Sequence, residues 1–267
     1  MPPHISSTAN PRIRAAVALR KPRQRRRTGL FLAEGPREVG RAVQAGLEVA
    51  ELYTCPQIMD QLPPNLHAAR HYTVDPAPFR RMCYRDEPEG VLAVVHQPRW
   101  DLAEAAAARP RLWLIAEGLT KPGNLGALAR TALAAGANLL LVADGAVDAF
   151  NPNALRASTG ACYHLPIFAL SSEETVKCLR RHAVPLVAAV PEARLPYWAQ
   201  DLRGDVAIAV GAEDRGLGPA LRGVGKGAAI PMAATLVDSL NASVAAGILL
   251  FEAVRQRRSD GDGDHGP

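Results

Sequence analysis

Six apolar runs organise the second half of the chain: "LWLIAEG", "NLLLVAD", "LPIFAL", "PLVAAV", "VAIAVGA" and "AAIPM". None of them alternates apolar with polar residues. A strand of that kind is covered on both faces, and helical stretches lie between most of the runs. The pattern predicts a parallel, doubly wound α/β sheet over residues 111–258. In such a sheet ligands sit in loops beyond the carboxyl ends of the strands, so the polar residues there are the ones to examine. "SVAAGILLFEAVRQRR" reads as a long closing helix, and "SDGDGDHGP" (259–267) has the make-up of a disordered tail.

Ahead of the sheet, residues 28–97 read as a smaller α/β unit. "GLFLAEG" is a strand, "PREVGRAVQAG" a helix with Pro at its start and Gly at its end, and "VAELYTC" a strand. "HYTVD", "PAPFRRMCY" and "GVLAVVHQ" continue the alternation. The stretch bounded by Pro98 and Pro110 reads as a linker or short connecting helix, residues 98–110.

Charge is unevenly spread. The net charge is +5, yet residues 1–33 hold eight basic residues and no acidic one. Removing those eight from 31 leaves 23 basic residues against 26 acidic ones, so the remainder is acidic. Residues 1–27 therefore form a basic arm. Its "RKPRQRRR", with Arg23, Arg25, Arg26 and Arg27, points at nucleic-acid phosphate. The four cysteines form no C-x-x-C pair and no histidine stands at ligand spacing, so buried thiols in a reducing compartment are expected, without a metal. No apolar run reaches the length of a membrane span, and a cytoplasmic location is expected.

Three strand-end loops carry the polar residues that a site needs. They are "EGLTKPGNLGALAR" (117–130), "VGAEDRGLG" (210–218) and "IPMAATLVDSLNAS" (230–243). Taken singly, each has a plain structural explanation. Gly123 and Gly126 suit a tight turn, Glu213 suits a helix N-terminus, and Asp238 or Ser239 suits an N-cap. The first loop lacks the Gly-Lys-Ser/Thr ending of a P-loop and the spacing of a dinucleotide fingerprint.

Together the three loops resemble the SpoU/TrmH branch of the SPOUT methyltransferases. The resemblance rests on Asn124, Gly126 and Arg130, then Gly211, Glu213 and Gly216, then Ile-Pro-Met at 230–232 and Ser239, Leu240, Asn241 and Ser243. "NPNALRASTGA" (151–161) is similar to the stretch between the first two motifs, and residues 28–97 look like the RNA substrate-binding domain often fused ahead of them. The resemblance implies a SPOUT domain with a trefoil knot, a homodimer and S-adenosyl-L-methionine as methyl donor. It also implies a ribose 2′-hydroxyl as acceptor, in 23S rRNA first and tRNA second.

The same resemblance implies the roles. Arg130 activates the hydroxyl, either by orienting it and stabilising the developing oxyanion, which suits an arginine that is normally protonated, or by transiently giving up a proton. Asn124 positions the nucleotide. Glu213 fixes either Arg130 or the cofactor's ammonium. Asn241 and Ser239 order the third loop and the RNA, while Gly211, Ile230 and Leu240 hold the cofactor. One departure stands out: "AATLVD" (233–238) is one residue longer than the family's usual stretch and lacks its glycine. Two other readings compete. "GNLG" has the G-x-x-G form of an RNA clamp in a non-catalytic binder. A kinase-like nucleotide enzyme is opposed by the missing P-loop lysine and the missing paired carboxylates for magnesium.

Overall fold

The computed structural model describes residues 2–59, 66, 68–233 and 239–259. They form two compact units. The first comprises residues up to Arg99 together with Asp148–His164, and the second Trp100–Val147 together with the chain from Leu165.

The first unit begins with β1 (His4–Ile5), α1 (Pro11–Ala18) and α2 (Pro22–Thr28). Residues 2–27 are thus folded, which corrects the expectation of a separate basic arm. Asn10 caps α1 by accepting from the Arg12 amide at 2.9 Å, and Gly29 ends α2 in the left-handed region (φ 66°). Ile13, Ala16 and Leu19 are buried in the unit's core beside Tyr53, Phe79 and Met82. The unit continues with β2 (Leu30–Glu34), α3 (Pro36–Gln44), β3 (Val49–Thr54), β4 (His71–Val74), α4 (Pro76–Met82) and β5 (Val91–His96). Its mixed sheet runs β1-β4-β3-β5-β2, with β5 antiparallel to both of its neighbours.

The second unit opens with α5 (Leu102–Ala107), the short helix expected in the linker, capped by Asp101. Then follow β6 (Leu112–Glu117), α6 (Pro122–Ala134) and β7 (Leu139–Ala143). Helix α7 (Pro152–Ser158) belongs to the first unit, where Tyr163 stacks on Phe31 and Phe150 meets the same ring at a tilt. The "NPNALRASTGA" stretch therefore leaves the domain to which its sequence position assigns it. Next come β8 (Ile167–Leu170), α8 (Ser172–Arg181), β9 (Leu186–Ala189), β10 (Val206–Val210), α9 (Pro219–Arg222), β11 (Lys226–Ala228) and α10 (Ala242–Ser259).

The six-stranded sheet is wholly parallel, in the order β11-β9-β10-β6-β7-β8. Every residue of β6, β7 and β10, three of its four interior strands, is buried, as unbroken apolar runs require, and β9 is buried but for its last residue, whereas the edge strand β8 has no buried residue. The last strand lies earlier than "AAIPM" predicts, overlapping it only at Ala228. Pro231 has no amide to donate, and Ala229 joins the sheet only through a bridge to Pro196. The sheet winds outward from β6 through β7 to β8, then returns to place β10 on the other side of β6. The strand order thus reverses between β6 and β10, where the crevice of such a sheet opens.

Candidate active site

The loops after β6 and β10 meet at that reversal. "KPGNLGALART" is not a glycine-rich turn: α6 begins at Pro122, a residue whose fixed φ suits the first helical position. The turn is made before it, with Gly118 at φ 68°. Gly123 and Gly126 lie inside the helix despite their low propensity, which the buried Leu125, Leu128, Ala129 and Ala132 offset.

The carboxylate of Glu213 gathers the three loops. Its Oε1 accepts from Asn124 Nδ2 at 3.1 Å and from Asn241 Nδ2, while Lys121 Nζ stands 3.6 Å from Oε2. Asn241 is bound at both ends. Its Oδ1 accepts from the Ser243 amide at 2.9 Å and from the Ser243 hydroxyl at 2.6 Å, and its carbonyl accepts from the amides of Val244 and Ala245. Asn241 therefore caps α10, and Ser239 does not. Asp238 and the longer stretch from 234 lie outside the described residues.

Gly211 is required by the geometry of its own loop. A Cβ there would lie 2.0 Å from the Gly216 carbonyl carbon. The loop closes on itself instead, with the Gly216 amide donating to the Ala212 carbonyl at 2.8 Å and Gly216 at φ 65°. On one side lies a cleft of about 250 Å³ lined by Gly211, Glu213, Ile230, Met232, Ser239 and Leu240, among others. On the other side a second hollow is lined by Lys121, Asn124, Glu213, Asp214 and Arg215, among others.

The structure thus brings Asn124, Glu213, Asn241, Gly211, Ile230, Leu240 and Ser239 together. It does not bring Arg130 to Glu213. Arg130 is exposed on α6, six residues beyond Asn124 and so about a third of a turn off its face, and it lines neither hollow. Glu213 is held by the two asparagines and Lys121. Nothing local in the sequence marks Lys121, whose place as the residue before the helix brings it to Glu213.

The cleft suits S-adenosylmethionine chemically. Ile230, Leu240 and Met232 supply apolar wall for an adenine, the backbone at Gly211 lies open to close approach, and the Glu213 carboxylate suits an ammonium. Lys121 already faces that carboxylate. Among the described residues no group of three or more His, Cys, Asp or Glu is arranged to hold a metal. Cys55, Cys83 and Cys162 are buried free thiols, and burial pushes Cys162 up to about 11.

The arginine block divides. Arg23, Arg26 and Arg27 are exposed along one side of α2. Arg25 is 1 % exposed, which removes it from the expected RNA contacts. Its Nε donates to Asp148 Oδ2 at 2.8 Å and its Nη1 to the carbonyls of Leu19 and Arg20.

Two family models match this chain. One, the SpoU rRNA Methylase family, covers residues 111–251, more than half of its length. The chain belongs to the SpoU rRNA methylase family. The second, an MRM3-like substrate binding domain, covers residues 10–93. Among similar proteins, an uncharacterized tRNA/rRNA methyltransferase of Synechocystis sp. is 31% identical over 95% of this chain and 94% of its own. The 23S rRNA (guanosine(2553)-2′-O)-methyltransferase RlmP of Bacillus subtilis is 28% identical over 92% and 97%. A solved RNA 2′-O ribose methyltransferase superposes with a TM-score of 0.83 at 40% identity, covering 96% of this chain and 99% of that one. The SpoU methyltransferase AviRb of Streptomyces viridochromogenes, solved with AdoMet, gives 0.83 at 31% identity over 94% and 99%. The SpoU match spans all three loops that meet at Glu213.

Proposed function

We infer that this SpoU protein transfers a methyl group from S-adenosylmethionine to a ribose 2′-hydroxyl of structured RNA, with 23S rRNA as the substrate and tRNA as the alternative. The observation that carries the reading is Glu213, joined by Asn124 and Asn241 beside the Gly211–Ile230–Leu240 cleft. The bound cofactor would supply an electrophilic methyl on a sulfonium. Ile230 and Leu240, which line the cleft, would exclude water from its adenine. Glu213 holds the amides of Asn124 and Asn241 in fixed orientation, and Asn124 faces the second hollow, where the acceptor nucleotide would lie.

Arg130 completes the site from a second copy of the chain. Val244 and Phe251 of α10 are each 49% exposed, leaving apolar surface on the helix that packs against α6. A homodimer that covers it would carry Arg130 to its partner's cleft, where its fixed charge orients the hydroxyl or a neighbouring phosphate. The trefoil knot and a cytoplasmic location belong to the same reading, supported by the likeness to SpoU structures and to ribosomal RNA modifiers. No helix among the described residues is long and apolar enough to cross a membrane.

Calorimetry tests this. The protein should bind S-adenosylmethionine, and Arg130→Ala should keep that binding and lose methyl transfer to ribosomal RNA. An absence of cofactor binding would favour a non-catalytic RNA-binding protein. Full activity in Arg130→Ala would remove the role given to Arg130.

A further inference from the structure

Tyr84 lies in the first unit, far along the chain from the residues that meet at Glu213. It is 44% exposed, whereas Tyr53 and Tyr72 of the same unit are buried. An exposed tyrosine is ordinary, but this one is fastened at both ends. Its backbone amide donates to Glu34 Oε2 at 2.8 Å, and the next amide, of Arg85, donates to Glu34 Oε1 at 3.2 Å. Glu34 is itself 7% exposed, so the anchor is set in the core. At the far end the Tyr84 hydroxyl accepts from Asn153 Nδ2 at 2.9 Å. Asn153 Oδ1 in turn accepts from Arg156 at 2.6 Å, and the Arg156 guanidinium lies 5.9 Å from the Tyr84 ring centroid.

The ring therefore stands in solvent with its torsions already restricted, beside a hollow lined by Tyr84, Arg85, Asp86, Glu87 and Arg156. A planar partner that stacks on it meets little further loss of side-chain freedom. The charges around the hollow narrow the choice of partner. Asp86 and Glu87 have no hydrogen-bond or ion-pair partner among the described residues, and they repel a phosphate placed in it. They accept instead from the N–H donors on the edge of a nucleobase. Arg156, which lines the same hollow and lies over the ring, suits the backbone phosphate that follows such a base.

We propose that Tyr84, backed by Asn153 and flanked by Arg156, is a stacking site for one unpaired base of the RNA, outside the methyl-transfer site. The proposal rests on the reading of this protein as an RNA-binding enzyme. Unstacked bases are what such a protein can lay on an aromatic ring, whereas a duplex hides their faces.

The test is fluorescence anisotropy of the full chain with a labelled 11-nucleotide RNA of a single G in a U background, beside an 11-base-pair RNA duplex. Tyr84→Ala should bind the single strand roughly tenfold more weakly, with the slope against salt unchanged and duplex binding unchanged. Tyr84→Leu, which keeps apolar bulk without a planar face, should lose as much. Tyr84→Phe should stay within about twofold of the parent, because stacking survives loss of the hydroxyl. Wild-type affinity in Tyr84→Ala overturns the proposal, as does an equal loss in Tyr84→Phe or an equal loss on the duplex. If the unaltered protein binds S-adenosylmethionine and RNA while Tyr84→Ala behaves like it, the stacking site alone falls. If the unaltered protein binds neither RNA, the functional reading falls with it.

Discussion

Arg111 and Asp205 illustrate how one buried charge is satisfied. Arg111 is 7% exposed and donates from Nε to the Ala106 carbonyl at 2.8 Å. Asp205 accepts from the Arg111 amide and from its Nη1, each at 3.0 Å, and Arg109 stands 3.2 Å away. The Arg111 amide bond, helped by the Arg111 and Arg109 charges and opposed by burial, holds the Asp205 carboxyl below its usual value. A carboxylate lowered on folding stabilises the protein above its unfolded pKa, near 3.9, and loses that contribution as pH falls through the folded value. Asp205→Asn should therefore cost about 2 kcal/mol at pH 7. The deficit should shrink as the pH is lowered below about 4. Urea midpoints of the two proteins at pH 7 and in acid check this, and a deficit that does not change with pH would count against the role of the charge.

Helix α2 shows how the same residue type serves two ends within one element. Positions 23, 26 and 27 follow helical i, i+3 and i+4 spacing and share the exposed side, while Arg25 turns inward to Asp148. Replacing Arg23, Arg26 and Arg27 together with alanine should weaken RNA binding and flatten its dependence on salt by roughly 0.7–0.9 per lost phosphate contact. Anisotropy across a salt series measures it, and a slope equal to that of the parent would exclude α2 from the RNA surface. The sequence displayed this helix only as a run of charge. It carried no sign of which arginine turns inward, because that depends on Asp148, which is more than a hundred residues away. The apolar runs were legible because strand burial leaves a local pattern; five of the six fell where they were expected. The three loops that meet at Glu213 were legible as motifs, but the bonding among them was not. Placing Gly123 and Gly126 in a turn starts the helix too late and hides the direction of Lys121, the residue just before Pro122.

The proposed homodimer, with each site divided between two copies, would make a prediction that neither copy alone can meet. If Arg130 acts on the partner's cleft, Arg130→Ala and Glu213→Ala spoil different halves of one site. Each variant alone should be inactive. Random mixing of subunits should restore roughly a quarter of the sites, because half of the dimers are mixed and each of those has one intact site. Methyl transfer to ribosomal RNA after co-refolding or co-expression reads this out. Mixed dimers that form without recovering activity would place Arg130 and Glu213 in the same copy's site.

Asn241 binds Glu213 with its amide nitrogen and starts α10 with its amide oxygen. Exchanging that nitrogen for oxygen, as in aspartate, leaves shape and cap intact but sets two carboxylates face to face. Glutamine keeps the amide and displaces both ends by a methylene. Few neighbouring sequences satisfy both demands at once. Drift can therefore alter the walls of the cleft far more freely than this corner, where the fold's last helix and the site draw on the same three atoms.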